Sequence, residues 1–387
     1  MRIAFYAPLK SPTHGVPSGD RRVAGLLMQA LAAAGHRVEL ASTFRSYDRE
    51  GDPARQAALR EQGLALAARL AAQWREGPEE ARPALWFTYH LYYKAPDWLG
   101  PAVSRALGIP YVVAEASDAP KRAGGPWHLN HEGARAAVSV ADLLLCPTRD
   151  DLAGLLALGL APGKVVHFPP FLDAATFPSA SEARPVQRAA LAARHGLPAG
   201  VPWIAVAAMM RPGDKAASYR ALSLALAQLR DLDWRLLVAG DGEARGDIEQ
   251  GLQAAVPGRT AFLGALGQEE VAMLYTACDL CAWPAVNEAY GMAMLEAQAA
   301  GLPVLSSATR GVPDVVEDGR TGLLAPAGDV PAFAALLRTL IQDRALRERL
   351  GRSAATFARG ERSLEAAAAR MRACLAPFDR TSAGVAG

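Results

Sequence analysis

Two carboxylates, Glu288 and Glu296, stand eight positions apart in the stretch NEAYGMAMLEAQAAGLPVLSS, Asn287 to Ser307. The segment MAMLEAQAA reads as a helix closed by Gly301 as C-terminal cap and by Pro303 just beyond. Glu288 then lies in the loop ahead of the helix and Glu296 about one turn inside it, while Met292, Leu295 and Ala299 share a face toward a sheet. Free amides at such a helix start, from about Ala289 through Tyr290 and Gly291 to Met292, attract phosphates or sugar hydroxyls. A carboxylate accepts paired hydrogen bonds from the vicinal diol of a ribose or hexose. Phosphate amides and diol acceptors together describe a nucleotide-sugar site. Spacing alone also describes a favourable acid near a helix N-terminus, Glu288, and a solvated helix residue, Glu296.

Groups of this kind need a scaffold that holds post-strand loops together. Short apolar runs alternate with alanine-rich, helix-length segments from end to end, the pattern of parallel α/β sheets. Predicted strands are Ile3–Ala7, Arg37–Ser42, Ala84–Thr88, Tyr111–Ala114, Leu143–Cys146 and Val165–Phe168 in the first half. In the second half they are Trp203–Met209, Arg235–Ala239, Ala261–Leu263, Leu280–Trp283 and Val304–Ser306. Two doubly wound, Rossmann-like α/β domains result, 1–180 and 181–360, followed by a C-terminal helix and tail, 361–387, expected to pack back on the N-terminal domain. The junction falls in the Pro-, Ser- and Ala-rich stretch Asp173 to Gly200. Such sheets bind ligands beyond the carboxyl ends of their strands, so two domains facing each other across a cleft would line it with those loops.

The totals narrow the chemistry. Against 41 basic residues stand 39 acidic ones in a chain of 387, a net charge of +2, so nucleic acid is not an expected partner. The four cysteines, Cys146, Cys278, Cys281 and Cys374, are too few and scattered for a disulfide framework. CDLC has zinc spacing but no second Cys or His pair, and it runs into an apolar strand, so packing is expected and no metal site. With no apolar run of about 18 residues, a soluble, cytoplasmic protein is expected, peripheral membrane contact staying open.

The segment Asn287 to Leu324 resembles the nucleotide-sugar signature of retaining glycosyltransferases with the two-Rossmann (GT-B) fold, the large group similar to bacterial family 4 transferases. Glu288, Tyr290–Gly291, Glu296, Gly301, Pro303–Val304, Gly311 and Gly322 match it. AGDGEAR, Ala239 to Arg245, resembles that family's GDGPxR loop, and AFLGAL, with Gly264, its segment beside the base. ALAAAGHRVELAS, ADLLLCPT and HFPPFLDAATF match further family segments, so the resemblance covers nearly the whole chain. It implies that Arg211 and Lys215, in AVAAMMRPGDKAASYRAL, neutralise the donor diphosphate, that Glu296 grips the ribose and that Glu288 meets the donor sugar near its reacting face. The Arg211 to Lys215 spacing is one residue shorter than the family's, and the glycine that follows there is absent. The same loop also reads as a solvated turn around Pro212–Gly213–Asp214.

On the N-terminal side the chain departs from the family. Gly19 and Asp20 are the nearest match to its Gly-Gly loop, and Glu115 stands where the family often carries His. His90 either points into the cleft or is a buried, hydrogen-bonded histidine. Lys121 and Arg122 either hold an acidic acceptor or belong to a solvated loop. The helix-rich segment 49–77, with Trp74, reads as a plain amphipathic helix or as a cover for a lipid or glycan acceptor. The resemblance implies transfer of a sugar from a nucleoside diphosphate, as co-substrate, to a glycan, lipid-linked or small-molecule hydroxyl, with retention and without a metal or other cofactor. Asp231 and Asp233, the sole Asp-x-Asp, read as a turn before a strand. A hydrolase using the two glutamates, a nicotinamide enzyme and a non-catalytic nucleotide-sugar-binding protein are the rivals. AGDGEARG lacks the third glycine of the dinucleotide fingerprint.

Overall fold

The computed structural model describes residues 1–15, 18–177 and 180–379. By contact the chain divides into two units, Met1–Pro169 together with Leu364 onward, and Pro170–Ser363. The division falls ahead of the 180/181 boundary set from the sequence. Residues 380–387 of the tail lie outside the described residues.

In the first unit, β1 (Arg2–Tyr6), β2 (Arg37–Ser42), β3 (Leu85–Leu91), β4 (Tyr111–Ala116), β5 (Leu143–Cys146) and β6 (Val165–His167) form one sheet in the order β2-β1-β3-β4-β5-β6. Every neighbouring pair is parallel. Helices α1 (Gly19–Ala33), α2 (Pro53–Glu76), α3 (Gly100–Leu107), α4 (His128–Val140) and α5 (Arg149–Leu156) connect the strands. A central parallel strand is covered on both faces and reads as an unbroken apolar run. In β3, LWFTYHL, every residue is buried except His90, the penultimate one. Ser18 starts α1 by accepting a hydrogen bond from the Arg21 amide, and Asp52 does the same for α2 from Ala54 and Arg55. The buried face of α2 is Gln56, Gly63, Ala67 and Ala71, and Trp74 packs edge-on against Trp86 with ring centres 6.3 Å apart. That helix packs on its own unit.

In the second unit, β7 (Trp203–Ala207), β8 (Arg235–Ala239), β9 (Thr260–Gly264), β10 (Leu280–Trp283), β11 (Val304–Ala308) and β12 (Gly322–Pro326) form a parallel sheet in the order β12-β11-β10-β7-β8-β9. Its helices are α6 (Ala180–His195), α7 (Asp214–Ala227), α8 (Arg245–Ala255), α9 (Gln268–Ala277), α10 (Met292–Ala299), α11 (Val312–Val315), α12 (Val330–Gln342) and α13 (Arg344–Thr356). A further helix, α14 (Leu364–Leu375), belongs to the first unit, where Arg372 donates to the carbonyls of Ala33 and Ala34 at the end of α1, each at 3.2 Å.

Strand β12 is absent from the strands read in the sequence. Its GLLAP begins with glycine and ends with proline, both turn residues, yet it pairs with β11 over its full length at the sheet edge. Cys278 and Cys281 are free, buried thiols, and burial pushes both well above the ordinary thiol range. Among the described residues no group of three or more His, Cys, Asp or Glu is placed to hold a metal ion. Asp231 is held by Arg338 through two hydrogen bonds, at 2.6 and 2.8 Å, on the surface ahead of β8. Among the described residues no helix is long and apolar enough to cross a membrane.

In each sheet the strand order reverses once, between β1 and β3 in the first and between β7 and β10 in the second. A crevice opens at the carboxyl ends of the strands at such a point, because the flanking connections leave in opposite directions.

Candidate active site

At the reversal of the second sheet, the loop after β10 meets the start of α7. The Lys215 ammonium lies 2.5 Å from Oε2 of Glu288, and the Trp283 indole nitrogen donates to the same oxygen at 3.3 Å. Lys215 also sits 5.6 Å from the centre of the Trp283 ring, a cation–π contact. Both partners are partly open to solvent, with side chains 28% and 17% exposed, so a ligand can reach the pair. The loop that carries Glu288 is wound tightly. Ala285, Asn287 and Gly291 all have left-handed backbone, with φ of 55°, 53° and 74°. Ser218 accepts the Val286 amide at 2.9 Å, and Asn287 donates to Asp214 at 2.8 Å and accepts from Arg310 at 3.1 Å. The Gly311 amide donates to the Ala289 carbonyl at 3.1 Å, joining the loop after β11 to the same structure.

Because Gly291 is left-handed, α10 begins at Met292, and the amides of Ala289 and Tyr290 belong to the loop instead of the helix. Among the described residues no side chain caps α10, and with the Met294 and Leu295 amides turned to the Gly291 carbonyl, those of Met292 and Ala293 are left available to a ligand. At its other end Gly301, at φ 85°, donates to Gln298 and Leu302 donates to Ala297, a Schellman closure. Glu296 is only 6% exposed and lies close enough to the Cys281 thiol to help burial raise it. It is no solvated helix residue. Glu288 and Glu296 therefore occupy different environments, one paired with a cation at the crevice and one inside the packed helix.

Arg211 follows β7 with its side chain exposed and outside every ion pair of the described residues. The loops after β7 and β8 lock together behind it, with the Met210 amide donating to Asp241 at 2.9 Å and Ala244 to Met210 at 2.9 Å. Gly264 ends β9 and accepts from the Gly240 amide at 2.8 Å.

The first sheet carries its own charged group at its reversal. His90 Nδ1 lies 3.0 Å from Asp20 of α1 and 3.6 Å from Glu115 at the end of β4. His90 and Glu115 are themselves left-handed, with φ of 62° and 60°, a conformation that costs non-glycine residues about 1–3 kcal/mol each. Burial pushes the His90 imidazole down, but Glu115 and Asp20 outweigh it and hold it above 6.5. Burial likewise opposes ionisation of Asp20, and the hydrogen bond and charge of His90 overcome it, holding Asp20 below 3.8. His90 is thus hydrogen-bonded and 20% exposed.

Three of the acceptor-side candidates, Asp20, His90 and Glu115, come together, while Gly19 stands beside them, exposed, at the start of α1. Lys121 and Arg122 do not join that group. Both are exposed, and the Arg122 guanidinium stacks 5.0 Å from the ring centres of Tyr93 and Trp127. Sequence reading missed Trp283, Ser218, Asn287 and Arg310. Ser218 lies one turn beyond Lys215 on α7, a spacing that marks a shared helix face; Trp283, the last residue of a strand, carries no such signal.

Residues 212–357 match the family described as glycosyl transferases group 1, and residues 18–170 match the glycosyl transferase 4-like domain. D-inositol 3-phosphate glycosyltransferase from Streptomyces avermitilis is 34% identical over 238 residues, 58% of this chain and 50% of that protein. Alpha-D-kanosaminyltransferase from Streptomyces kanamyceticus is 29% identical over 279 residues, 68% of this chain and 70% of that protein. The chain spans about half the length, or less, of the first curated relatives it matches. Among solved structures, a glycosyltransferase from Rickettsia africae superposes with a TM-score of 0.75 at 14% identity, covering 98% of this chain and 99% of that one. Anabaena Alr3699/HepE in complex with UDP and glucose superposes with a TM-score of 0.69 at 18% identity, covering 97% and 100%. These structural likenesses establish the GT-B fold.

Proposed function

This chain belongs to the glycosyl transferases of group 1, and on that premise we propose that it moves a sugar from a nucleoside-diphosphate donor to an acceptor hydroxyl with retention at the anomeric carbon. The observation that carries the reading is the Lys215–Glu288 pair at the reversal of the second sheet, beside the uncapped start of α10 and downstream of the exposed Arg211. An arriving diphosphate competes with Glu288 for the Lys215 ammonium, and Arg211 supplies a second cation to the departing group. Glu288, released, is then available to a hydroxyl of the donor sugar. Glu296 takes the ribose diol, and the loop amides of residues 289–292 take sugar or phosphate oxygens. Arg211 and Lys215 together neutralise the leaving group, and transfer proceeds without a metal, which activity retained in EDTA would support.

The Asp20–His90–Glu115 group is the acceptor-side counterpart, an array of acceptors suited to hydroxyls of a glycan, lipid-linked or small-molecule substrate. The protein acts in the cytoplasm, with any membrane contact peripheral. A relative named for D-inositol 3-phosphate and a neighbour solved with UDP and glucose support screening those compounds first.

The experiment is thermal unfolding of the wild type and of Glu296→Ala with UDP, GDP, ADP and NAD(H). One nucleoside diphosphate should stabilise the wild type, by about 2.7 kcal/mol at 100 times its dissociation constant, and the variant should lose that shift. Stabilisation by NAD(H) alone would overturn the reading. A nucleotide sugar that binds yet is never turned over with any acceptor would mark a binding protein. NMR of the anomeric proton in the product tests retention.

A further inference from the structure

A second charged concavity lies at the opposite edge of the second sheet, where its strands begin. The segment 199–202 ahead of β7, Asp279 ahead of β10 and Pro303 ahead of β11 form its floor, and α6 and α13 form its walls. The cavity measures about 540 Å³, within the range of small-molecule sites. Arg184 and Arg188 reach it from α6, and Arg344, Arg347 and Glu348 from α13.

These cations are not equivalent. Arg188 is consumed by the fold: it pairs with Asp279 at 2.9 Å, donates to the carbonyls of Ala277, Ala199 and Val201, and stacks 4.0 Å over Trp203. Asp279 also receives Arg184 and the Trp203 amide. Arg347 spends one terminal nitrogen on the carbonyls of Leu340 and Ile341, closing α12, and its remaining guanidinium N–H groups hold no hydrogen bond among the described residues. That side chain is 9% exposed, and burial, together with the like charges of Arg184 and Arg344, makes its cationic form harder to keep. Among the described residues Arg344 pairs only with Glu348, and it is 81% exposed. Among the described residues four guanidinium groups thus line the cavity against two carboxylates, a surplus of two positive charges.

We propose that this cavity is a binding site for a phosphoryl group, with Arg184, Arg344 and Arg347 as its ligands. A phosphate carries close to two negative charges at neutral pH and offers three oxygens to planar guanidinium forks, so it balances the surplus where one carboxylate would leave half of it. The site is a strand's length from Lys215 and independent of the donor reading, since no residue is shared. The same phosphoryl chemistry is presented by a free phosphorylated metabolite and by a phosphomonoester lipid headgroup, as in phosphatidic acid.

The test uses the full chain at fixed ionic strength, with inorganic phosphate followed by thermal unfolding and with phosphatidic-acid-containing phosphatidylcholine vesicles followed by co-sedimentation. The Arg184→Gln/Arg344→Gln double variant leaves Arg188 and Arg347, the braces of the fold, in place. It should weaken phosphate or vesicle binding at least tenfold, and whichever ligand is lost identifies the source. Arg69→Gln, changed on the exposed face of α2 in the first unit, should bind as the wild type does. Undiminished binding of both ligands by the double variant, equal loss in Arg69→Gln, or no binding of either by the wild type would overturn the site.

Discussion

Lys215 holds two roles that compete, as counter-ion to Glu288 and as cation for a diphosphate. Lys215→Ala is expected to lower kcat about 100-fold or more, by the scale seen when one charge-stabilising donor is removed. Its effect on stability should stay near 1 kcal/mol or less, because the pair is partly solvated. Steady-state kinetics beside urea unfolding separates the two. The Asp20–His90–Glu115 group sets a pH dependence. His90 titrates above 6.5 in the folded state, so its contribution to stability is complete below pH 6.5 and is lost as pH rises through the elevated folded value. Asp20 titrates below 3.8, so its contribution is complete above that pH and is lost as pH falls through the depressed value. The group is therefore most stabilising between the two. Relative to His90→Gln, the wild type should lose stability from about pH 6.5 upward, read as the urea midpoint against pH; parallel curves would refute the coupling.

At the level of elements, the loops after β7 and β8 approach so closely that Gly240 has no room for a side chain. A Cβ there would sit 2.0 Å from the Ala208 carbonyl oxygen, and φ is 154°. Gly240→Ala is expected to cost about 2–4 kcal/mol and to weaken nucleotide binding by displacing the loop that carries Arg211. Gly246, six residues on in the first turn of α8, has nothing within 4 Å, and Gly246→Ala should be neutral or stabilising by up to about 1 kcal/mol. Calorimetry of the two variants checks the contrast. The sequence made the buried strands legible because runs such as LWFTYHL and LLLC have no polar face, whereas β12 hides its pairing behind glycine and proline. The Lys215–Glu288 contact was legible only as a shared family role, since no spacing rule joins positions 73 apart; strand order does that. Asp20 and His90, 70 apart, meet for the same reason. Trp283 and Arg310 stayed invisible because their contacts arise from loop winding, which leaves no period in the chain.

For the molecule as a whole, the last helix joins the end of the chain to the unit that began it. Helix α14 buries Ala367, Ala368, Met371 and Leu375, and through Arg372 it closes the end of α1. Removing residues 364–387 should lower the unfolding temperature of the first unit and leave that of 170–363 unmoved, because each unit has its own core. Differential scanning calorimetry of the truncated chain would show it, and equal losses in both transitions would refute it. The arrangement also bears on how the protein is made. At about 5–20 residues per second, a ribosome that has passed Pro169 needs on the order of ten to forty seconds to reach Leu364. For that interval the apolar face of α1 waits without its final partner, so the unit begun first is the last to be finished, and a chaperone that shields nascent chains would find its work there.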